Sequence, residues 1–239
     1  MKKILISGGN GEFSKYFCSI CNDKEFSLFP LQKNEMDVTN ISQIERSIAE
    51  INPDYFIHAG ALTRPMDIHE KDPEKSILNN IVGTANVVME CMKKNIKLIY
   101  LSTDHVYPGE SGNYCEESPI LPLNNYAWSK LGGECSVKLY KNSCILRLSM
   151  VSNPFPHQSA IVDSYKSSIF IEDAAKISLS FLDKVGTYNI GGPRMSIYNF
   201  AKDVNPNIKK IHLRDIENVR MPRDVSMNLE KMKRVLGND

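Results

Sequence analysis

Tyr126 and Lys130 are the first residues whose types and spacing could support catalysis. They stand four residues apart in Tyr-Ala-Trp-Ser-Lys, within a stretch that predicts a helix over Asn124–Tyr140. Positions i and i+4 share one face of a helix, so the phenol and the ammonium converge there. A nearby ammonium favours the tyrosinate, which suits proton transfer to or from a carbonyl oxygen. Taken alone, an inward-packed tyrosine beside a surface lysine would explain the same spacing.

A second cluster of polar residues, Ser102-Thr103-Asp104-His105, follows the apolar run Lys97–Ser102. In open parallel sheets, ligands bind in the crevice beyond the carboxyl ends of the strands. A hydroxyl group there can hydrogen-bond a substrate carbonyl and polarise it. A turn that merely ends the strand is the plain alternative.

The third motif is the glycine turn Ser7-Gly8-Gly9-Asn10-Gly11, between the first predicted strand and the first predicted helix. Glycines allow the backbone to approach a pyrophosphate, and the helix N-terminus offers free N–H groups. A simple glycine-rich turn would look similar, since a lone motif of this kind is weak. Its place at the first strand of an alternating chain favours a dinucleotide site.

Positioning these motifs requires alternating strands and helices, which the hydrophobic pattern predicts. Strands are predicted at Lys3–Ser7, Phe26–Leu31, Tyr55–His58, Lys97–Ser102, Cys144–Ser149 and Thr187–Ile190, and helices at Phe13–Asn22, Ile41–Ile51, Pro73–Lys94, Asn124–Tyr140, Glu172–Leu182 and Val225–Leu236. The fold class is therefore α/β, a Rossmann-type doubly wound parallel sheet whose first strand we expect to be central. Residues 1–150 would form the NAD(P)-binding domain, and residues 151–239 a small, shortened substrate-binding lobe interleaved with it.

Bulk composition excludes several classes of protein. The chain has 239 residues and a formal net charge of +1, so neither a polyanion footprint nor a nucleic-acid partner is expected. No stretch is long enough to span a bilayer, and no signal peptide is evident, so we expect a cytoplasmic protein without a membrane partner. Only Cys18 and Cys21 form a C-x-x-C, without a second pair or a histidine cluster, so no metal site is expected.

The order of these motifs resembles the extended short-chain dehydrogenases/reductases, and most closely the dTDP-4-dehydrorhamnose reductases. The matching stretches cover most of the chain: Ser7-Gly8-x-x-Gly11, Asp37-Val38-Thr39, His58-Ala59-Gly60-Ala61, Asn80-x-x-Gly83-Thr84, Ser102-Thr103-Asp104-His105, Tyr126-x-x-x-Lys130, Arg147-Leu148-Ser149-Met150 and Pro222-Arg223-Asp224. Ser14 stands at the family's last glycine of the turn, and the region between Val151 and Ile171 is much shorter than the family's.

The resemblance implies a set of site residues. The catalytic residues would be Thr103, Tyr126 and Lys130. The cofactor-binding residues would be Gly8, Asn10, Gly11, Glu12, Phe13, Lys33, Asp37, Val38, Ala59, Gly60, Ala61, Asn80, Ser102, Tyr126 and Lys130. The substrate-binding residues would be Thr103, Asp104, His105, Ser149, Met150 and Arg223.

Lys33, after the second predicted strand, favours NADPH over NADH because a basic residue there accommodates a 2′-phosphate; NADH stays open. The implied activity is reduction of a nucleotide-linked 4-keto-6-deoxy sugar, in deoxysugar and surface polysaccharide biosynthesis. The alternatives are a nucleotide-sugar 4-epimerase with bound NAD and a non-catalytic NADP-binding regulatory homologue. The expected partners are the nucleotide-sugar substrate and a second copy of the chain in a homodimer.

Overall fold

The protein is built around one parallel sheet with helices on both faces. The structure, a computed structural model, describes residues 1–21 and 24–237. Six strands form the sheet: β1 (Lys2–Ser7), β2 (Phe26–Leu31), β3 (Tyr55–His58), β4 (Lys97–Thr103), β5 (Ser143–Leu148) and β10 (Gly186–Ile190). All neighbouring strands are parallel, in the order β10-β5-β4-β3-β1-β2. The predicted fold class is confirmed.

The position of β1 corrects one expectation. We expected β1 in the centre of the sheet, but it lies second from the edge, between β2 and β3. Four strands, β3, β4, β5 and β10, lie on one side of β1, whereas only β2 lies on the other. Strand β10 comes from the C-terminal part of the chain, so that part contributes to the main sheet as well as to the cleft.

Helices bury the two faces of the sheet. One face is covered by α1 (Glu12–Ile20), α7 (Ile171–Leu179) and α9 (Glu230–Leu236), which share a core with the sheet through buried residues such as Phe17 and Ala174. The other face is covered by α2 (Ile41–Ile51), α5 (Gly83–Lys94) and α6 (Asn125–Lys138), with Ile44, Val87 and Val137 buried. Both faces of each central strand are therefore apolar, as a parallel sheet requires.

Local signals explain where several helices begin and end. Asn40 caps α2, because its side chain accepts hydrogen bonds from the N–H groups of Ser42 and Gln43. The Asn124 side chain caps α6 by accepting from the Ala127 N–H. The predicted helix over Pro73–Lys94 is a short helix α4 (Pro73–Ser76), a π-helical turn (Ile77–Val82) and α5. The predicted first helix extends to Asn22, which lies outside the described residues.

Short elements make up the rest of the chain. Helix α3 (Ile68–Lys71) precedes α4, and α8 (Ile197–Val204) lies in the C-terminal part. Three two-stranded sheets pair β6 (Met150–Val151) with β9 (Ile169–Phe170), β7 (Ser159–Ile161) with β12 (Lys209–Ile211), and β8 (Tyr165–Lys166) with β11 (Met195–Ser196). Turns of 3₁₀ helix cover Asp104–Val106 and Leu213–Asp215. The division at residue 150 stays a prediction.

The C-terminal tail corrects a second expectation. Its helix was predicted over Val225–Leu236, but α9 begins only at Glu230. The preceding residues are extended because they hydrogen-bond elsewhere: the Tyr114 N–H donates to Ser226 O, and the Val225 N–H donates to Tyr165 O. Val225 and Met227 are buried against Tyr107 and Tyr114. Tertiary pairing therefore overrides the helical pattern of this segment.

Candidate active site

The glycine turn lies at the carboxyl edge of the sheet, between β1 and the start of α1. Gly8 has a φ of +75°, and a Cβ there would lie 2.9 Å from the Cα of Gly60, which follows β3. The two backbones therefore touch, and no larger residue fits at Gly8. Ser14, at the third glycine position of the motif, is fully buried and donates to Gly8 O at 2.9 Å. The Ser14 hydroxyl therefore joins α1 to the turn, and it stands at the position where the family has a glycine.

An open cavity of about 590 Å³, which we call the cleft, extends from this turn along the carboxyl edge. The predicted cofactor residues that line it are Gly8, Asn10, Gly11, Glu12, Phe13, Lys33, Ala59, Gly60, Ala61, Ser102 and Tyr126. A second cavity of about 230 Å³ shares Gly8, Lys33, Gly60 and Ala61 with it and adds Asp37 and Val38. The continuous surface suits an extended two-part ligand.

Lys33 lies where the two cavities meet. Its ammonium is 3.7 Å from Asp37 Oδ2 and donates to Asn79 Oδ1 at 3.2 Å. Burial alone would raise the pKa of Asp37, but hydrogen bonds from Thr39 and the charge of Lys33 lower it overall. Lys33 is thus an exposed cation beside an ionised carboxylate at the edge of the site.

Asn80 does not line either cavity. Its side chain is buried in the π-helical turn, where it donates to Leu62 O at 2.9 Å and to Ser129 Oγ at 2.9 Å, and accepts from the Leu62 N–H at 2.8 Å. The amide therefore joins the loop after β3 to helix α6. The structure places Asn80 as a support of the predicted cofactor site, behind the residues that face it.

Tyr126 and Thr103 meet in the cleft. Tyr126 stands in the first turn of α6, Thr103 is the last residue of β4, and both line the cavity. Burial raises the pKa of Tyr126 to about 12, against the lowering effects of Thr103 and of the Arg64 charge. The phenol is therefore protonated at neutral pH and can donate a hydrogen bond or a proton. The rings of His69 and His105 pack edge-on around it, at 5.1 Å and 6.1 Å between centroids.

Lys130 lies one turn further along α6 and is buried. It does not line the cleft; its ammonium lies 4.3 Å from the centre of the Tyr100 ring. Burial lowers the pKa of Lys130 to about 7, although Glu134 acts in the opposite direction. Tyr126 and Lys130 both stand on α6, while the convergence of their side chains on one site and their catalytic roles stay predictions.

A buried histidine supports this region, and its partners were not predicted. His58 ends β3 and contacts Ser7 Oγ at 2.7 Å and Thr84 Oγ1 at 3.0 Å through its two ring nitrogens. Burial, aided by the charge of Lys130, lowers the pKa of His58 to about 3, so the ring is neutral. Ser7 Oγ also accepts from the Gly60 N–H at 3.2 Å. Neutral polar groups therefore hold the two loops of the glycine contact together.

The predicted substrate residues divide into two groups. Thr103, Asp104, His105 and Met150 line the cleft. Ser149 is buried beside it, and Arg223 is exposed and lies outside the residues that line the two cavities. Cleft residues that the sequence analysis missed are Thr63, Arg64, Met66, Leu148, Lys166 and Ile171. Arg64 and Lys166 add two cations to the end of the cleft near Tyr126.

A hydrogen bond joins the C-terminal part to the cofactor side of the cleft. The Ser152 hydroxyl donates to Glu12 Oε2 at 2.5 Å, across 140 positions of sequence. Glu12 stands in the first turn of α1, where the positive end of the helix dipole favours a carboxylate. Ser152 therefore fixes the segment after β6 against the start of α1.

Comparison with known proteins decides the family. The RmlD substrate-binding-domain family matches residues 1–159. The chain belongs to this family. The predicted resemblance is thereby confirmed.

Individual relatives agree with this assignment. The chain is 27% identical to a dTDP-4-dehydrorhamnose reductase of Aggregatibacter actinomycetemcomitans over 228 residues, which are 84% of this chain and 77% of that protein. It is 28% identical to the spore coat polysaccharide biosynthesis protein SpsK of Bacillus subtilis, over 63% of this chain and only 54% of SpsK. A crystal structure of dTDP-4-dehydrorhamnose reductase from Bacillus anthracis in complex with NADP matches with a TM-score of 0.89 and 26% identity, over 99% of this chain and 92% of that one.

Proposed function

We propose that this RmlD-family chain is an NADPH-dependent oxidoreductase that reduces the C4 ketone of a nucleotide-linked 4-keto-6-deoxy sugar. The observation that carries the proposal is the protonated Tyr126 hydroxyl beside Thr103, in a cleft that begins at the glycine turn. The family and the full-length match to a reductase in complex with NADP support the same activity.

The residues of the carboxyl edge fit a dinucleotide. Gly8, Gly9 and Gly11 leave most of the backbone of the turn uncovered by side chains, which gives a phosphate room to approach the start of α1. The pyrophosphate would lie against Gly8–Gly11, and Asp37, Val38 and Lys33 would hold the adenosine part. Bound there, NADPH supplies the hydride for the reduction.

The protein's own contribution is to bind the ketone and supply the proton. Thr103 would donate a hydrogen bond to the C4 oxygen, and Tyr126 would give its proton to that oxygen as charge develops on it. The phenol is protonated at neutral pH and so has a proton to supply. The nearby Lys130 charge would stabilise the tyrosinate that remains.

The direct test is turnover on a panel of nucleotide-linked 4-keto sugars. We expect loss of the 340 nm absorbance of NADPH with at least one sugar, one NADPH being consumed for each ketone reduced. The product should be a single C4 epimer, identified by NMR. Absence of consumption with every sugar, by protein that binds NADPH in a calorimeter, would refute the reductase proposal and favour the non-catalytic homologue.

The same assay separates the epimerase alternative. An epimerase first removes a proton from the substrate hydroxyl, which needs the tyrosinate form, and it keeps its NAD between turnovers. Interconversion of C4 epimers by the purified protein, without added cofactor, would favour that alternative. The family and the match to a reductase in complex with NADP are the observations that favour the reductase.

A homodimer is the second part of the proposal, and an exposed apolar surface supports it. On α5 and the turn before it, Val82, Met89 and Met92 are 39%, 45% and 49% exposed, and with the partly exposed Ala85 they follow a 3-4-3 spacing. Trp128 on the neighbouring α6 is 49% exposed, and Leu139, which directly follows α6, is 79% exposed. We call these six residues the apolar seam. Apolar residues at this spacing are typical of helices that pack against partner helices.

A second copy is the occupant we propose, because two adjacent seam helices would pair by a two-fold axis into a four-helix bundle. We expect a dimer in analytical ultracentrifugation and a monomer for Met89→Glu. Val185→Glu is the matched control, since Val185 is also an exposed apolar residue, at 56%, outside the seam. A wild-type monomer at all protein concentrations would refute the dimer.

No helix within residues 1–21 and 24–237 is both long and apolar enough to cross a membrane. A cytoplasmic location stays a prediction.

A further inference from the structure

Lys166 is the one charged side chain that the segments after β5 contribute to the cleft lining within the described residues. It ends the short strand β8, and its side chain is 15% exposed. Its ammonium lies 3.1 Å from Asp104 Oδ2 and 3.1 Å from His105 Nε2. Lys166 therefore reaches two residues that follow Thr103 directly in sequence.

The contact with His105 determines where the imidazole carries its proton. An ammonium has only hydrogen-bond donors, so this contact favours a neutral ring that accepts at Nε2 and carries its proton on Nδ1, an atom that is buried without a hydrogen-bond partner among the described residues. Burial and the Lys166 charge, which lower the pKa of His105 to about 4, are consistent with a neutral ring. His105 is 92% buried, since 8% of its surface is exposed.

The contact with Asp104 matters for Thr103. The Thr103 hydroxyl has a single proton, and it donates that proton to Asp104 Oδ1 at 3.1 Å. The same proton would be needed for a hydrogen bond to the substrate carbonyl. Lys166 compensates the charge of Asp104 from its other oxygen, so the carboxylate holds the Thr103 proton less strongly.

We propose that Lys166 is a positioning residue that acts through Asp104: it compensates the carboxylate and so leaves the Thr103 hydroxyl free to turn towards the ketone. The inference rests on the proposed reductase function for its effect on turnover. Its effect on Asp104 and His105 does not depend on that function.

Three elements supply the charged and titratable groups around Asp104 and His105. His105 faces Lys166 from β8, Asp104 from its own 3₁₀ turn and the Tyr126 ring from α6. Burial alone would raise the pKa of Asp104, but Lys166, His105 and Ser149 lower it overall. Without Lys166, the buried Asp104 carboxylate loses the cation beside it and is protonated more easily. His105 also loses the cation that opposes its own protonation.

The first experiment measures these groups without turnover. In ¹⁵N-histidine NMR of the wild-type protein, we expect His105, assigned through His105→Gln, to be the Nδ1–H tautomer at pH 7. In Lys166→Met its titration midpoint should rise from about 4 towards the ordinary value of 6.5, and Lys166→Arg should restore a low midpoint. An Nε2–H tautomer in the wild type, or an unchanged midpoint in Lys166→Met, would overturn the proposal.

The second experiment is a double-mutant cycle on kcat. We expect Lys166→Met to lower kcat by about tenfold or more, because complete loss of one donor to a developing oxyanion costs ~100- to 1,000-fold and this change weakens the donor without removing it. In the Asp104→Asn background, where no charge needs compensation, the same change should lower kcat less than about twofold. The KM for NADPH should not move, and Lys176→Met, which removes an exposed lysine outside the cleft, should leave kcat unchanged.

Equal losses from Lys166→Met in both backgrounds would show that Lys166 does not act through Asp104, and would overturn the proposal. The pH profile gives a further readout: the kcat of Lys166→Met should recover towards lower pH as Asp104 protonates and its charge no longer needs compensation, which a merely structural role would not cause. If the wild type reduces none of the sugars, the reductase proposal fails, and the NMR result alone decides the role of Lys166.

Discussion

Tyr100 contacts both ends of Lys130. The Tyr100 ring lies under the Lys130 ammonium, 4.3 Å from centroid to Nζ, and the Tyr100 hydroxyl donates to the Lys130 carbonyl at 3.1 Å. The aromatic face attracts the cation in a place where burial disfavours it. Strand β4 thus holds the Lys130 ammonium of α6 in place. Among the described residues, no carboxylate lies within hydrogen-bonding distance of this ammonium.

Replacing Lys130 should stabilise the protein. Because burial lowers the pKa of Lys130 to about 7 from 10.5, the unfolded chain binds a proton between these values that the folded chain does not. Stability therefore rises with pH across this window, and the cost of the charge is fully present below pH 7. We expect Lys130→Met to raise Tm at pH 7 by at least about 2–4 °C, the effect of ~1 kcal/mol in a chain of this size. NADPH binding should weaken in the same variant. A fall in Tm would contradict this account.

Tyr126→Phe and Thr103→Val should separate chemistry from binding. We expect Tyr126→Phe to lower kcat by ~100-fold or more, the contribution of general-acid catalysis, with NADPH affinity nearly unchanged in calorimetry. Thr103→Val should also act on kcat, because it removes a hydrogen bond to the developing oxyanion. Full activity in Tyr126→Phe would mean that another acid supplies the proton.

Lys33→Glu should reverse the cofactor preference. Lys33 lies between the two cavities, where a cation favours a 2′-phosphate and an acid favours an unmodified ribose. We expect the wild type to bind NADPH more tightly than NADH, and Lys33→Glu to bind NADH more tightly. Lys71→Glu is a matched control: both lysine side chains are 71% exposed and each pairs with an aspartate four positions away. Identical preferences for NADPH over NADH in all three proteins would show that Lys33 does not contact the cofactor.

The buried pair of Arg147 and Glu134 should dominate the stability of the sheet beside the cleft. Arg147 Nη2 and Nε contact the Glu134 carboxylate at 2.5 Å and 3.3 Å, and both side chains are fully buried. We expect Glu134→Gln to lower the free energy of unfolding by about 3–5 kcal/mol, because it leaves an uncompensated buried guanidinium. Urea denaturation measures this. A loss no larger than that of Lys138→Met, the exposed neighbour of Glu134 at 3.7 Å, would contradict it.

Most of the predicted cofactor residues line two adjoining cavities, for a physical reason. The turn, the strand ends and the Tyr/Lys pair are local motifs, and parallel strands bring their carboxyl ends to one edge without further information. Lys166 could not be predicted, because it stands on a two-residue strand in a segment without periodicity, 61 positions from His105. The place of Arg64 in the cleft could not be predicted either, because Arg64 lies in the irregular loop after β3, where the sequence has no periodic pattern.

Periodicity also does not say what covers an apolar face. The spacing of Ile77, Ile81, Thr84, Val88 and Met92 correctly predicts a helix. In the structure Thr84 and Val88 are buried, yet Ile77 and Met92 are 50% and 49% exposed. The π-helical turn at Ile77–Val82 rotates the positions before α5 relative to those within it. A sequence pattern contains no signal for that rotation.

The extended segment before α9 has a consequence for the order of folding. Its backbone pairs with Tyr114 and with Tyr165, more than 100 and more than 50 positions earlier in the chain. Contacts of such long sequence separation form late, since the entropy of closing the loop must be overcome first. Strands β1 to β5, which precede Lys166 in the chain, and the glycine turn can therefore assemble while the pairing of the Lys166 segment with the tail is still unformed. A nascent chain would form its dinucleotide surface before its sugar surface. A chain shortened before Asp224 would form the first surface without the second.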